Sequence, residues 1–300
     1  PSQTTVGLAG TAMTRIALIF MWLFHWLPLP VLAAVGRALG LLLYRLSRER
    51  RQVVLTNLGL CFPGMSEAEK SALTIRHFEA VGRSFIERGL AWWASESRLR
   101  RVVRIEHLER LQALAGRPVI MLVPHFVGLD ICGTRLALEI DAASIYSKQK
   151  DPLIDRMLYH GRTRFGDQYI LSRQEGIRPI IRLLKAGRPL YYLPDMDYGP
   201  RDAIFVPFFG VPAATITGLS RLVRMTGAAI VPCIAHMLPG GDGYVIEIGE
   251  PWSNYPGESV EADTARMNAF IEAEVRKMPE QYYWVHRRFK TRPQGEKKPY

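Results

Sequence analysis

A chain of 300 residues with 48% hydrophobic and 22% charged side chains can bury one large core, which excludes a disordered polymer and a disulfide-stapled miniprotein. The formal net charge of +11 calls for acidic partners, and nucleic acid, an anionic lipid surface and an acidic carrier protein all satisfy that charge. Cys61, Cys132 and Cys233 stand in apolar surroundings without CxxC spacing, so neither a disulfide framework nor a zinc site is expected, and the simplest compartment is a reducing one.

Residues 16–36 contain no Lys, Arg, Asp or Glu, and that length is close to the roughly 20 residues a bilayer span requires. Pro28 and Pro30 interrupt the run, so a kinked span and a shallow interfacial hairpin both fit. Residues 1–47 are therefore expected to be a membrane anchor and 48–300 the catalytic domain. Arg37, Arg45, Arg48, Arg50 and Arg51 follow the apolar run and only Arg15 precedes it, a bias that leaves the large C-terminal part in the cytoplasm. No small-residue cleavage site follows a basic leader, so the segment is expected to be retained.

Ser66 and Glu69 form a capping box, and Leu73, Val81, Phe85 and Leu90 recur at helical spacing, which predicts a long amphipathic helix over 66–94. Beyond Arg101, short β-rich runs at 119–123, 143–147, 189–193, 204–208, 228–234 and 244–248 alternate with helical stretches at 151–161, 175–186 and 215–226. That alternation predicts an α/β fold, a mainly parallel or mixed central sheet flanked by helices, preceded by the hydrophobic anchoring helix.

The buried run Val119-Ile-Met-Leu-Val-Pro124 ends on His125, with Asp130 five residues later. Open α/β sheets keep their sites at the C-terminal ends of strands, so His125 reads as a general base and Asp130 as the carboxylate that fixes its tautomer. Such a pair suits direct acyl transfer to a hydroxyl. The developing oxyanion needs donors, and Arg162, Arg164 and Arg173 stand near later strand ends. Asp195 and Asp197, before Gly199, are placed on the substrate-binding side of the cleft, either buttressing those arginines or capping the next element. No histidine or further acidic cluster accompanies them, so no metal is implied, and no cofactor either. There is no G-x-S-x-G elbow for serine chemistry, and Cys132 reads as a small buried residue rather than a nucleophile.

These residues bring a family into view. The chain resembles the late acyltransferases of lipid A biosynthesis, within the lysophospholipid acyltransferase superfamily, over nearly its whole length. The resemblance runs through Arg51-Gln-Val-Val-Leu-Thr-Asn57, Cys61-Phe-Pro63, His125 with Asp130, and Gly161-Arg-Thr-Arg164. It continues through Pro194-Asp-Met-Asp-Tyr-Gly-Pro-Arg201, Val206-Pro-Phe-Phe-Gly210 and the closing Gln281-Tyr-Tyr-Trp-Val-His-Arg-Arg-Phe-Lys-Thr-Arg-Pro293. It implies a bacterial inner-membrane enzyme that moves an acyl chain from acyl carrier protein to the 3-hydroxyl of a hydroxyacyl chain on a lipid A precursor. It also implies His125 and Asp130 as the catalytic pair and Arg162 as the oxyanion donor; Arg164 and Arg173 are then expected to serve acceptor phosphate binding or local structure. Asp130 stands where several members carry glutamate. Two other readings compete: a relative acylating another lipid acceptor, such as a lysophospholipid or amino-acid lipid, and a non-enzymatic membrane-associated binding protein. Nucleic-acid binding is not expected, because no recognition helix or RNP-like motif is present and the apolar N-terminus would have no role.

Overall fold

The computed structural model describes residues 14–300. Helix α1 (Thr14–Phe24) and α2 (Leu29–Leu46) meet at the Pro28 kink, followed by α3 (Arg48–Cys61) and the long α4 (Glu67–Trp93). Ser66 caps α4 as expected: its side chain accepts from the Glu69 amide, and the Glu69 carboxylate takes the Ser66 amide at 2.7 Å. Then come α5 (Glu96–Val102), β1 (Val103–Glu106), α6 (Glu109–Gln112), β2 (Val119–Leu122), α7 (Leu129–Leu136), β3 (Ala143–Tyr146), α8 (Pro152–Thr163), β4 (Tyr169–Ser172), α9 (Arg178–Lys185) and β5 (Leu190–Tyr192). The hairpin β6 (Ala203–Phe208) and β7 (Val211–Ile216), α10 (Gly218–Thr226), β8 (Ala229–Met237), β9 (Tyr244–Ile248) and α11 (Val260–Lys277) complete the order.

The seven-stranded sheet has the order β1-β9-β8-β2-β5-β3-β4. All neighbours are parallel except β8 and β9, so the sheet is mixed and mainly parallel. Strand β2 sits at the centre, and Val119, Ile120, Met121 and Leu122 are all buried, as a parallel strand covered on both faces demands. One face carries the cluster of Val54, Leu58, Ile120, Leu122, Phe208, Ile271 and Trp284; the other carries Leu90, Trp92, Val119, Met121, Ile131 and Tyr244. The β6–β7 hairpin turns on Phe209 and Gly210, both with positive φ (53° and 76°), the backbone of a two-residue type I′ turn.

Helix α2 is long and apolar enough to cross a membrane by length and composition. Its inner face is joined to α4 through glycines. A Cβ at Gly36 would lie 2.5 Å from the Arg83 Cα, one at Gly40 would meet the Phe78 carbonyl, and one at Gly82 would meet the backbone of Gly36 and Gly40. Backbone-to-backbone approach of this kind needs residues without Cβ on both helices. On the outer side, Ile16, Ile19, Phe20, Trp22, Leu23 and Trp26 of the N-terminal segment are exposed.

Candidate active site

Strands β2 and β5 are parallel neighbours with Leu122 opposite Tyr192. The pairing continues one step further, the Val123 amide donating to the Tyr192 carbonyl at 2.9 Å. Three residues beyond each register partner stand His125 and Asp195, so the sheet delivers both to the same edge. The Asp195 carboxylate accepts the His125 amide at 2.9 Å and lies 2.7 Å from Nδ1. Burial pushes the Asp195 carboxyl up, but the charge and hydrogen bonds of His125 outweigh burial and hold it below its ordinary value. An ionised Asp195 accepts from Nδ1–H, which assigns the lone pair to Nε2. His125 lines a cleft of about 950 Å³ with Tyr146, Leu158, Arg162, Tyr191 and Leu193.

Asp130 was expected to orient the imidazole, and here the structure corrects the sequence. The partner of Nδ1 is Asp195, and the Asp130 carboxylate pairs with Arg88 of α4 at 2.8 Å. The physical reason is the helix: Asp130 lies in the first turn of α7, which carries it away from the strand tip toward α4. Burial raises its pKa, but Arg88, Arg162 and His125 together lower it below the ordinary value, so it contributes a fixed negative charge between two arginines.

Arg162 lines the cleft with His125 and also the neighbouring cavity with Asp130. Gly161 explains its position. A Cβ there would lie 2.5 Å from Trp92 Cδ1, so only glycine lets α8 settle against α4 and turn the next side chain into the cleft. The guanidinium carbon stands 5.6 Å from the Tyr146 ring centroid, within cation–π range. The Tyr146 hydroxyl is itself bonded to Asp155 at the start of α8.

The other expected site residues separate. Arg164 donates to the Ala94 carbonyl and stacks 4.3 Å from the Phe165 centroid, which makes it a tie between helices. Arg173 begins a single 3₁₀ turn after β4, and its side chain lies outside the described residues. Asp195 and Asp197 do not buttress arginines: Asp195 holds His125, and Asp197 accepts from the Thr291 amide and hydroxyl (2.8 and 2.9 Å) and the Gly199 amide (2.8 Å).

The C-terminal segment closes the back of the site. The Tyr283 amide donates to the His125 carbonyl at 3.0 Å, and the Val127 amide donates to the Gln281 carbonyl at 2.9 Å. Asn57 of α3 holds that segment through the Trp284 and His286 carbonyls. Nε2 of His286 accepts the Asp197 amide at 3.1 Å, and burial with Lys290 and Arg288 nearby lowers its pKa to about 4, so the ring is neutral. Sequence reasoning missed Arg88, Tyr146 and the role of Asp195. One signal for the last was present: Val123-Pro-His125 and Leu193-Pro-Asp195 are the same strand ending written twice.

A histidine and a carboxylate meet at adjacent strand tips, and the histidine lines one cleft with an arginine, the set of groups that general-base transfer to a hydroxyl needs. Residues 2–291 match the family described as bacterial lipid A biosynthesis acyltransferase, and the chain belongs to that family. The protein is therefore an acyltransferase. It is 37% identical over 287 residues to the lipid A biosynthesis lauroyltransferase of Escherichia coli (strain K12), covering 94% of this chain and 93% of that one. The palmitoleoyltransferase of the same organism is 33% identical over 287 residues (95% and 93% covered) and its myristoyltransferase 32% over 278 (90% and 83%). Among solved structures, the 1-acyl-sn-glycerophosphate acyltransferase PlsC of Thermotoga maritima covers 77% of this chain and 98% of its own, at a TM-score of 0.38 and 16% identity.

Proposed function

We propose that this protein transfers a fatty acyl chain from an acyl carrier protein thioester to the 3-hydroxyl of a hydroxyacyl chain on a lipid A precursor, at the cytoplasmic face of the bacterial inner membrane. The observation that carries the mechanism is the His125–Asp195 pair, with Nε2 left as the basic nitrogen of a cleft that Arg162 also lines. Nε2 takes the proton of the acceptor hydroxyl as its oxygen bonds to the thioester carbon. Asp195, already ionised, stabilises the imidazolium that results. Arg162 supplies donors to the oxygen on which negative charge grows, and Asp130 with Arg88 fixes the electrostatics behind it. Collapse of the tetrahedral intermediate breaks the carbon–sulfur bond, and the thiolate recovers the proton from Nε2–H.

The membrane and carrier assignments rest on surface chemistry. The exposed apolar strip of α1, with Trp22 and Trp26 at its end, suits a bilayer interface, and the net charge of +11 suits both a phosphorylated glycolipid and an acidic carrier. Residues 1–47 are proposed as the attaching part. The test is transfer by the purified full chain in vesicles, with acyl-loaded carrier protein as donor and a lipid A precursor as acceptor, read by mass spectrometry. Wild-type protein should add one acyl mass to the precursor and His125→Ala should add none; transfer by His125→Ala, or acylation of a lysophospholipid in preference to the precursor, would overturn the proposal.

A further inference from the structure

A base takes up a proton only while its imidazole is neutral, and a neutral ring brings no charge to balance the carboxylate beside it. Asp195 is 1% exposed, and the bonds its carboxylate accepts come from the amide and Nδ1 of His125. In the working state it is therefore a buried anion with no cation bonded to it, and burial alone favours its protonated form. Close by, a buried cation lacks an anion. Arg288 is 2% exposed and donates from Nη1 to the Ala214 carbonyl at 2.8 Å and from Nη2 to the Thr215 hydroxyl at 2.9 Å. Both acceptors are neutral, the buried Nε–H has no acceptor, and no ion pair joins Arg288 to an acid among the described residues.

Both charges line one chamber of about 210 Å³, which shares His125 and Met196 with the cleft and is also walled by Tyr282 and His286. The Tyr282 hydroxyl feels both: burial and then Asp195 raise its pKa, and Arg288 lowers it. We propose that Arg288 is a positioning residue that acts through Asp195, a fixed positive charge across the chamber that keeps the carboxylate ionised and the imidazole free of its proton. The guanidinium is held where it stands. Thr215 Oγ1 donates to the Ala213 carbonyl at 3.0 Å and accepts from Asn268 at 3.2 Å, and the Phe208 ring centroid lies 5.2 Å from the guanidinium carbon. An arginine in contact with Asp195 would compete for the oxygens that hold His125; one pinned to the β6–β7 hairpin supplies charge and leaves both oxygens to the histidine.

The other charges around the pair are already engaged or screened. On the cleft side Arg88 and Arg162 share Asp130. In the C-terminal segment His286 is neutral, burial lowering its pKa to about 4, and Lys290 is exposed to solvent. Asp197 does not line the chamber and has three donors of its own, the Gly199 amide and the amide and hydroxyl of Thr291. Taken as a sphere the chamber is about 7 Å across, and a unit charge at that distance in a site of effective dielectric about 20 moves a titration by about one to two pH units. Without Arg288 the His125–Asp195 pair should hold its proton to higher pH, and the shift belongs to the pair as a whole. The inference deepens the acyl-transfer reading and rests on it only where transfer is assayed.

The experiment measures, on the full chain, the rate at which diethyl pyrocarbonate modifies His125 against pH, read by peptide mass spectrometry, and in parallel the pH profile of kcat/KM for transfer. Only the neutral imidazole reacts with the reagent, so the midpoint reports the pair without any acyl substrate. Arg288→Gln should move that midpoint up by about one pH unit or more and lower kcat/KM about tenfold or more on the acid side, with a smaller loss on the alkaline side. Arg288→Lys, which keeps the charge, should hold the midpoint near that of the wild type. Arg288→Met, which keeps the stack on Phe208, repeats the neutral arm should the glutamine variant not fold. A midpoint unmoved in the neutral variants, a loss of activity equal at every pH, or a shift as large in Arg288→Lys as in Arg288→Gln would overturn the inference. A shifted midpoint in a protein that transfers to no lipid acceptor would uphold it and sink the proposed function; transfer by the wild type with an unmoved midpoint in the variants would do the reverse.

Discussion

Replacing Asp195 by Asn tests the carboxylate that strand register, rather than spacing along the chain, sets against His125. Asp195 is 1% exposed and takes two hydrogen bonds from one residue, the His125 amide and Nδ1–H. Asparagine has a single acceptor oxygen. If that oxygen keeps the amide, the Asn nitrogen forces Nδ1 to accept, and the proton moves to Nε2, where the base should be. If the oxygen keeps Nδ1–H, two N–H donors face each other in a dry site, at a cost of about 1–3 kcal/mol. In either case the imidazolium loses its carboxylate, a charge-assisted bond of about 1.5–3 kcal/mol. Together these come to about 3–5 kcal/mol, a fall in kcat of about 10²–10⁴-fold. The assay is single-acceptor transfer in vesicles, with Tm measured alongside to show that the fold survives. A kcat within tenfold of wild type, at unchanged Tm, would refute the assignment of Asp195 as the partner of the base.

Arg162→Lys should lower kcat by about 10²-fold or more with little change in acceptor KM, since a point ammonium cannot reproduce the donor fork; a change confined to KM would move Arg162 to substrate binding. His77 is fully buried, its Nδ1 lies 2.9 Å from the Glu280 carbonyl, and burial lowers its pKa from 6.5 to about 4. A base whose folded pKa is depressed stabilises the fold above the unfolded value and loses that contribution as pH falls from 6.5 toward 4, here about 3 kcal/mol. Denaturant titrations of His77→Phe should show a shallower loss of stability over that window; an identical slope would mean that His77 does not carry it.

The elements that sequence revealed are those whose burial is written in composition. The all-apolar β2, the capping box of α4 and the amphipathic α8 stand close to their expected limits. Strands β1 and β4 escaped, because each is four residues with a single buried position at a sheet edge, a pattern no different from a loop. That His125 and Arg162 line one cleft was legible from their places after a buried strand and a glycine. Asp195 was visible but misassigned, because spacing along the chain favours a partner five residues away, while parallel strand register brings one from 70 residues away to hydrogen-bond distance. The Arg83–Glu87 pair, buried in α4 with the Tyr244 hydroxyl on Glu87, had no sequence signal, since an (i, i+4) ion pair reads as a solvated face.

The clasp between the strand tip and residues 281–291 also imposes an order of events in time. A ribosome releases the apolar N-terminal helices first, hundreds of residues before Gln281, Tyr283 and Thr291 emerge. Until then the amide of Val127 and the carbonyl of His125 lack their backbone partners, and Asp197 has no threonine to grip. The ties that hold the loop after His125 to the end of the chain are thus the last of its contacts that synthesis can supply.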